Sequence, residues 1–106
     1  MGAVRRVVQP VPEGVSRIGP GTLKCVVAPG RADGVLAALP ERVDTADIRQ
    51  LGGDAVLVHT SLEAAELRDW LSGYFGAGES LLIVEFEKWS AFGKGVDREW
   101  LLARGH

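Results

Sequence analysis

Apolar and polar positions change their period several times along the chain, and each change marks an element. Residues 22–28 (T-L-K-C-V-V-A) are short, β-branched and increasingly apolar before Pro29 and Gly30, which predicts a buried strand and its stop. In residues 31–39 the side chains of Val35, Leu36 and Leu39 share one helical face, and Pro40 cannot continue the helix. Residues 42–49 alternate weakly and carry four charges, the pattern of an exposed edge strand. Gly52, Gly53 and Asp54 then signal a hairpin turn. Residues 55–59 (A-V-L-V-H) predict the most central strand of the chain.

Thr60 and Glu63 stand in capping-box spacing, so the second helix is expected to open at Thr60. Its buried stripe is Ala64, Leu67, Leu71 and Tyr74 or Phe75, with Trp70 beside it, and Gly76, Ala77 and Gly78 end it. Residues 80–88 (S-L-L-I-V-E-F-E-K) predict the last strand, with Phe86 and Val84 inward and Glu85 and Glu87 on the other face. After a loop carrying Trp89 and Phe92, residues 97–103 close the chain as a short helix with Trp100, Leu101 and Leu102.

The expected order is strand, helix, strand, strand, helix, strand. Two split strand–helix–strand units of this kind make an α+β, ferredoxin-like βαββαβ sandwich, with a four-stranded antiparallel sheet and both helices on one face. The central strands are too apolar for a wet second face. That face is expected to be covered by the N-terminal segment, the last helix or a second subunit, and a homodimer is expected. Residues 1–21 hold Pro10, Pro12 and Pro20 among five valines, which predicts an extended arm preceding a single domain of residues 22–106.

Composition narrows the classes. The chain has 106 residues, room for one core, and its 46% hydrophobic content excludes a disordered chain. One cysteine excludes a disulfide scaffold, and no apolar run reaches the roughly 18–20 residues of a membrane span. A cytoplasmic protein with no membrane association is the default expectation. The net charge of −2 argues against a general nucleic-acid binder, but its distribution is uneven. Residues 1–24 carry Arg5, Arg6, Arg17 and Lys24 against Glu13 alone, while the remainder is acidic. Arg5, Arg6 and Arg17 are therefore candidate contacts to phosphate or to an acidic protein surface.

Chemistry-bearing residues are few. Cys25, His59 and His106 are too few for a zinc site, and no cofactor motif occurs: the glycines after the first strand have neither P-loop nor dinucleotide spacing. His59 closes a strand just before a helix, where it serves either as a base or phosphate contact or simply bonds backbone. Glu85 and Glu87 share a strand face, with Asp97 and Glu99 downstream; they are either a divalent-cation site or a solvated edge. Trp89 and Phe92 are either a ligand-lining pair or packing. No residue is assigned a catalytic role.

One stretch carries a family likeness. Residues 81–93 (L-L-I-V-E-F-E-K-W-S-A-F-G), followed by a helix with a late Trp100, resemble the closing strand of small ferredoxin-like bacterial proteins related to the CRISPR-associated adaptation nuclease and VapD-type toxins. The likeness spans about residues 54–102, and it implies a homodimer and nucleic-acid association. Nucleases of that group share an Asp at the end of the first strand; here Ala28 and Pro29 stand in its place, so the resemblance implies a non-catalytic relative. Three readings are open at this point. The first is a non-catalytic dimeric module binding protein or nucleic acid. A small-molecule binder or enzyme of the dimeric α+β-barrel kind, with a pocket near His59, Trp89 and Phe92, is the second. A metal-dependent nuclease using Glu85, Glu87 or His59 is the third.

Overall fold

The computed structural model describes residues 21–105. Arg5, Arg6 and Arg17, with nearly all of the expected arm, lie outside them. Strand β1 (Thr22–Val27) is followed by α1 (Ala32–Ala38), β2 (Ile48–Leu51), β3 (Ala55–Thr60), α2 (Ala64–Leu71), β4 (Leu82–Phe86) and α3 (Arg98–Gly105). The sheet order is β2-β3-β1-β4, and every neighbouring pair is antiparallel. This is an α+β chain with a four-stranded antiparallel sheet and three helices, an arrangement compatible with a ferredoxin-like fold.

Strand alternation sorts the side chains into two layers. Val26 of β1, Val56 and Val58 of β3 and Ile48 of β2 face α1 and α2, where Val35, Leu39, Leu67 and Leu71 complete the larger core. Leu23 and Leu57 face the opposite way and pack under Trp100 and Leu101 of α3. The central strands are therefore buried on both faces, which is why they read as nearly continuous apolar runs. Each side chain fully buried this way contributes about 1.5–3 kcal/mol. Helix α3 covers only part of the second face: Leu82 and Val84 on β4 remain 58% and 42% exposed.

Several expected boundaries move, each for a local reason. Residues 42–49 are not an edge strand; β2 starts only at Ile48. Asp44 accepts a hydrogen bond from the Ala46 amide at 3.0 Å and turns the chain into a short 3-10 helix (Thr45–Asp47), an alternative to the ladder that aspartate offers its own backbone. Residue 60 does not open α2 but ends β3, paired with Thr22, and its hydroxyl accepts from the Leu62 amide at 3.1 Å. The capping box sits one step later: Glu63 is the N-cap, and its amide donates to the Glu66 carboxylate at 3.0 Å. Pro40 does not stop α1 abruptly, because Leu39–Glu41 continue as a 3-10 turn that tolerates proline at its start. A third 3-10 turn (Ser72–Tyr74) likewise follows α2, before Gly76. Val84 points away from α1 and α2 beside Phe86, so its share of the sheet face is open rather than inward. The hairpin at Gly52–Asp54 is as expected, with Gly52 at φ 70° and the Asp54 carboxylate accepting the Gly30 amide at 2.6 Å.

Candidate functional site

The most unusual side chain of the described residues is Lys24. It lies in the middle of β1, on the same face as Val26, and strand pairing places it between Val58 and Glu85. Its side chain is 2% exposed, whereas lysine is almost never fully buried unless paired. The ammonium donates to Thr22 Oγ1 at 2.6 Å and to the Thr60 carbonyl at 3.0 Å. Glu85 Oε1 stands 3.9 Å away, beyond hydrogen-bond reach, and its side chain is half exposed. Burial pushes the Lys24 amine below its usual range, with Glu85 and then Glu63 pulling it back up.

A cavity of about 500 Å³ opens beside this lysine, between the starts of β1 and α2 and the end of β4. Thr22, Ser61, Glu63, Ala64 and Glu85 line it together with Lys24. Glu85, singled out from the sequence as part of a carboxylate face, is thus the counter-charge of a buried cation. Glu87 stays in solvent, and Asp97 is bound elsewhere, accepting from Arg49 at 3.2 Å and from the Trp100 amide at 3.0 Å. Among the described residues no group of three or more His, Cys, Asp or Glu side chains could hold a metal ion.

His59 occupies the opposite face of the sheet, opposite Leu23, and is 5% exposed. Gly21 packs against it so closely that a Cβ there would lie 2.9 Å from the imidazole Cε1 and force the ring to shift. Burial lowers the imidazole's proton affinity below the usual value near 6.5; Asp47 opposes this, Arg104 and Lys24 reinforce it, and a bond to the Gly21 backbone opposes it. Between the lowered folded value and about 6.5, the unfolded chain binds more protons than the folded one. Stability therefore falls as the pH is lowered through that window, by at most about 1.4 kcal/mol per pH unit. His59→Gln is expected to flatten this slope in urea unfolding between pH 7 and 5. Equal slopes in the two proteins would contradict it.

Trp89 and Phe92 line a second, more apolar pocket of about 330 Å³ with Leu51, Phe86, Val96 and Leu101. His59 is not among its lining residues, so the structure separates it from the aromatic pair. Trp89 is half-buried against the Trp100 cluster, whereas Phe92 is almost wholly exposed. Trp100 fastens α3 to the fold: Nε1 donates to the Ala46 carbonyl at 2.7 Å, and the Arg104 guanidinium lies 4.8 Å over its ring while pairing with Asp47 at 2.9 Å. Cys25 is half-buried, and burial pushes its thiol up, away from reactivity.

The sequence reading missed Lys24 by counting it with the basic residues of the N-terminal stretch. A signal was available: in T-L-K-C-V-V, alternation puts Lys24 on the face of Val26, within a strand expected to be buried. Compared with known proteins, the chain matches no family model, no curated protein and no solved structure.

Proposed function

We propose that this chain is a ferredoxin-like module that works as a homodimer and, without catalysing a reaction, presents a joint surface to a protein or nucleic-acid partner. The observation that carries the reading is β4. It is the last strand of the sheet order, and Leu82 and Val84 stand exposed on it in a row with Phe86. An exposed apolar edge strand invites pairing with another chain. A second copy suits it because the row is self-complementary. With a two-fold axis through Val84, antiparallel pairing sets Val84 against Val84 and Leu82 against Phe86, and no two glutamates of β4 face each other.

The end of β1 supports the non-catalytic part. Val27, Ala28 and Pro29 offer no carboxylate where the proteins resembled by residues 54–102 carry an Asp. Arg5, Arg6 and Arg17 supply the positive charge for an acidic partner or phosphate. The pocket at Trp89 and Phe92 favours a second reading, a small-molecule binder of the α+β-barrel kind.

Sedimentation equilibrium tests the dimer. The wild-type chain is expected at twice its 11.3 kDa mass. Leu82→Lys with Val84→Glu is expected to weaken association by about 2–4 kcal/mol and to leave the circular dichroism unchanged, because both side chains are exposed. A wild-type chain that stays monomeric throughout the concentration range overturns the reading. Amide shifts on Glu85, Trp89 and Phe92 with short RNA at low salt would identify nucleic acid as the partner; none would leave protein.

A further inference from the structure

The cavity at Lys24 shares Glu85 with the β4 edge but has a chemistry of its own. A buried lysine that only fills space needs its three N–H bonds satisfied. Among the described residues two are engaged, by Thr22 Oγ1 and the Thr60 carbonyl, both neutral acceptors. Glu85, the nearest carboxylate among the described residues, is too distant for a hydrogen bond at 3.9 Å. An ion pair built for stability would close that gap. Instead, a space of about 500 Å³ that Lys24 helps to line opens beside it, large enough for a small organic molecule.

We propose that Lys24 is a carbonyl-reactive amine, and that this cavity takes a small neutral aldehyde or ketone and holds it as an iminium at Nζ. The half-exposed Glu85 side chain first swings from 3.9 Å to hydrogen-bond distance and takes a proton from the ammonium. The Nζ lone pair then forms a bond to the carbonyl carbon as the C–O π bond breaks, giving a carbinolamine. The oxygen leaves as water with one proton from the nitrogen and the one returned by Glu85, while the C=N bond forms. The net change is an ammonium and a carbonyl going to an iminium and one water, so charge and atoms balance without an oxidant or reductant. A desolvated lysine is the side chain suited to this step, since burial raises the fraction of free amine at neutral pH. The rim sets the substrate class. Glu63 and Glu85 both border the cavity, so a carbonyl compound bearing its own carboxylate meets like charge at both.

The test uses the intact chain, whose three lysines, Lys24, Lys88 and Lys94, serve as each other's controls. Lys88 and Lys94 are exposed and show no comparable environment. The protein is incubated at pH 7 with propanal and cyanoborohydride, and alkylation at each lysine is followed by peptide mass mapping. Lys24 is expected to react several-fold faster than Lys88, because burial leaves more of its amine unprotonated at this pH. With glyoxylate in place of propanal, the advantage of Lys24 over Lys88 is expected to disappear. Glu85→Gln removes the charge that draws the amine's proton affinity upward, so the pH profile of Lys24 alkylation is expected to move to lower pH while that of Lys88 stays. Lys24 reacting no faster than Lys88 overturns the proposal, and an unmoved profile in Glu85→Gln overturns the pairing with that carboxylate. Preference for glyoxylate overturns the neutral substrate class. A monomeric chain that still alkylates Lys24 first would separate this site from the dimer.

Discussion

Replacing Trp100 with alanine is expected to lower the unfolding free energy by about 3–5 kcal/mol, a large share of the roughly 5–15 kcal/mol that holds a domain together. Three effects act in one direction. The indole is buried against Leu23, Leu57 and Leu101, so its removal leaves a cavity between α3 and the sheet. Its Nε1–H is the donor to the Ala46 carbonyl, which then keeps Arg104 alone among the described residues as a partner. Finally, the Arg49 and Arg104 guanidinium groups, 5.7 and 4.8 Å from the ring centre, lose the face they stack on. Trp100→Phe restores most of the volume and some of the stacking but not the hydrogen bond, and is expected to cost about 1–2 kcal/mol. Urea unfolding followed by circular dichroism gives both values. A loss below about 1 kcal/mol in the alanine variant would mean that α3 does not dock on this face in solution.

How far the sequence announces this architecture depends on whether the deciding contact is local. Strands β1 and β3 are legible because burial on both faces leaves them apolar apart from Lys24, His59 and their end threonines, and the hairpin because glycine reaches the positive φ that Gly52 adopts. The start of α2 shows the opposite case. Thr60 to Glu63 and Glu63 to Glu66 have the same capping spacing, and the local preference for threonine over glutamate at an N-cap points to the wrong one. What separates them is the pairing of Thr60 with Thr22, which extends β3 by one residue and pushes the helix downstream. Residues 42–49 mislead for a different reason: alternating charge resembles an edge strand, yet the Asp44 carboxylate is spent on the Ala46 amide.

The site divides along the same line. Glu85 was visible as a carboxylate on a strand, but its meaning depends on Lys24, which lies 61 positions earlier and is brought beside it by the β1–β4 register. The acceptor that fixes the ammonium, the Thr60 carbonyl, is 36 residues away. No periodicity announces such a contact. Trp89 and Phe92 were visible together because they are close in sequence, and they do share a pocket. The expectation of one pocket near His59, Trp89 and Phe92 fails at His59: it shares the sheet face of Leu57 and Phe86 but sits at the end of β3, packed under Gly21 and outside that pocket.

Leu67→Ala carries the second large effect, on the other side of the sheet. Leu67 and Leu71 are the two wholly buried side chains of α2, and they join the helix to Val26, Val56 and Val58. Intrinsic propensity does not hold an eight-residue helix, since isolated helices under about 12–15 residues are marginal in water. The two leucines must therefore hold it, and removing three carbons of one is expected to cost about 2–5 kcal/mol. The consequence reaches the cavity, because Ala64 and Glu63 at the start of α2 form its wall while Thr22 and Thr60, which hold the ammonium, sit on strands. Hydrogen exchange in Leu67→Ala should accordingly rise along α2 well before it rises at β1 and β3. Uniform acceleration across helix and sheet would show instead that α2 and the strands open as one cooperative unit.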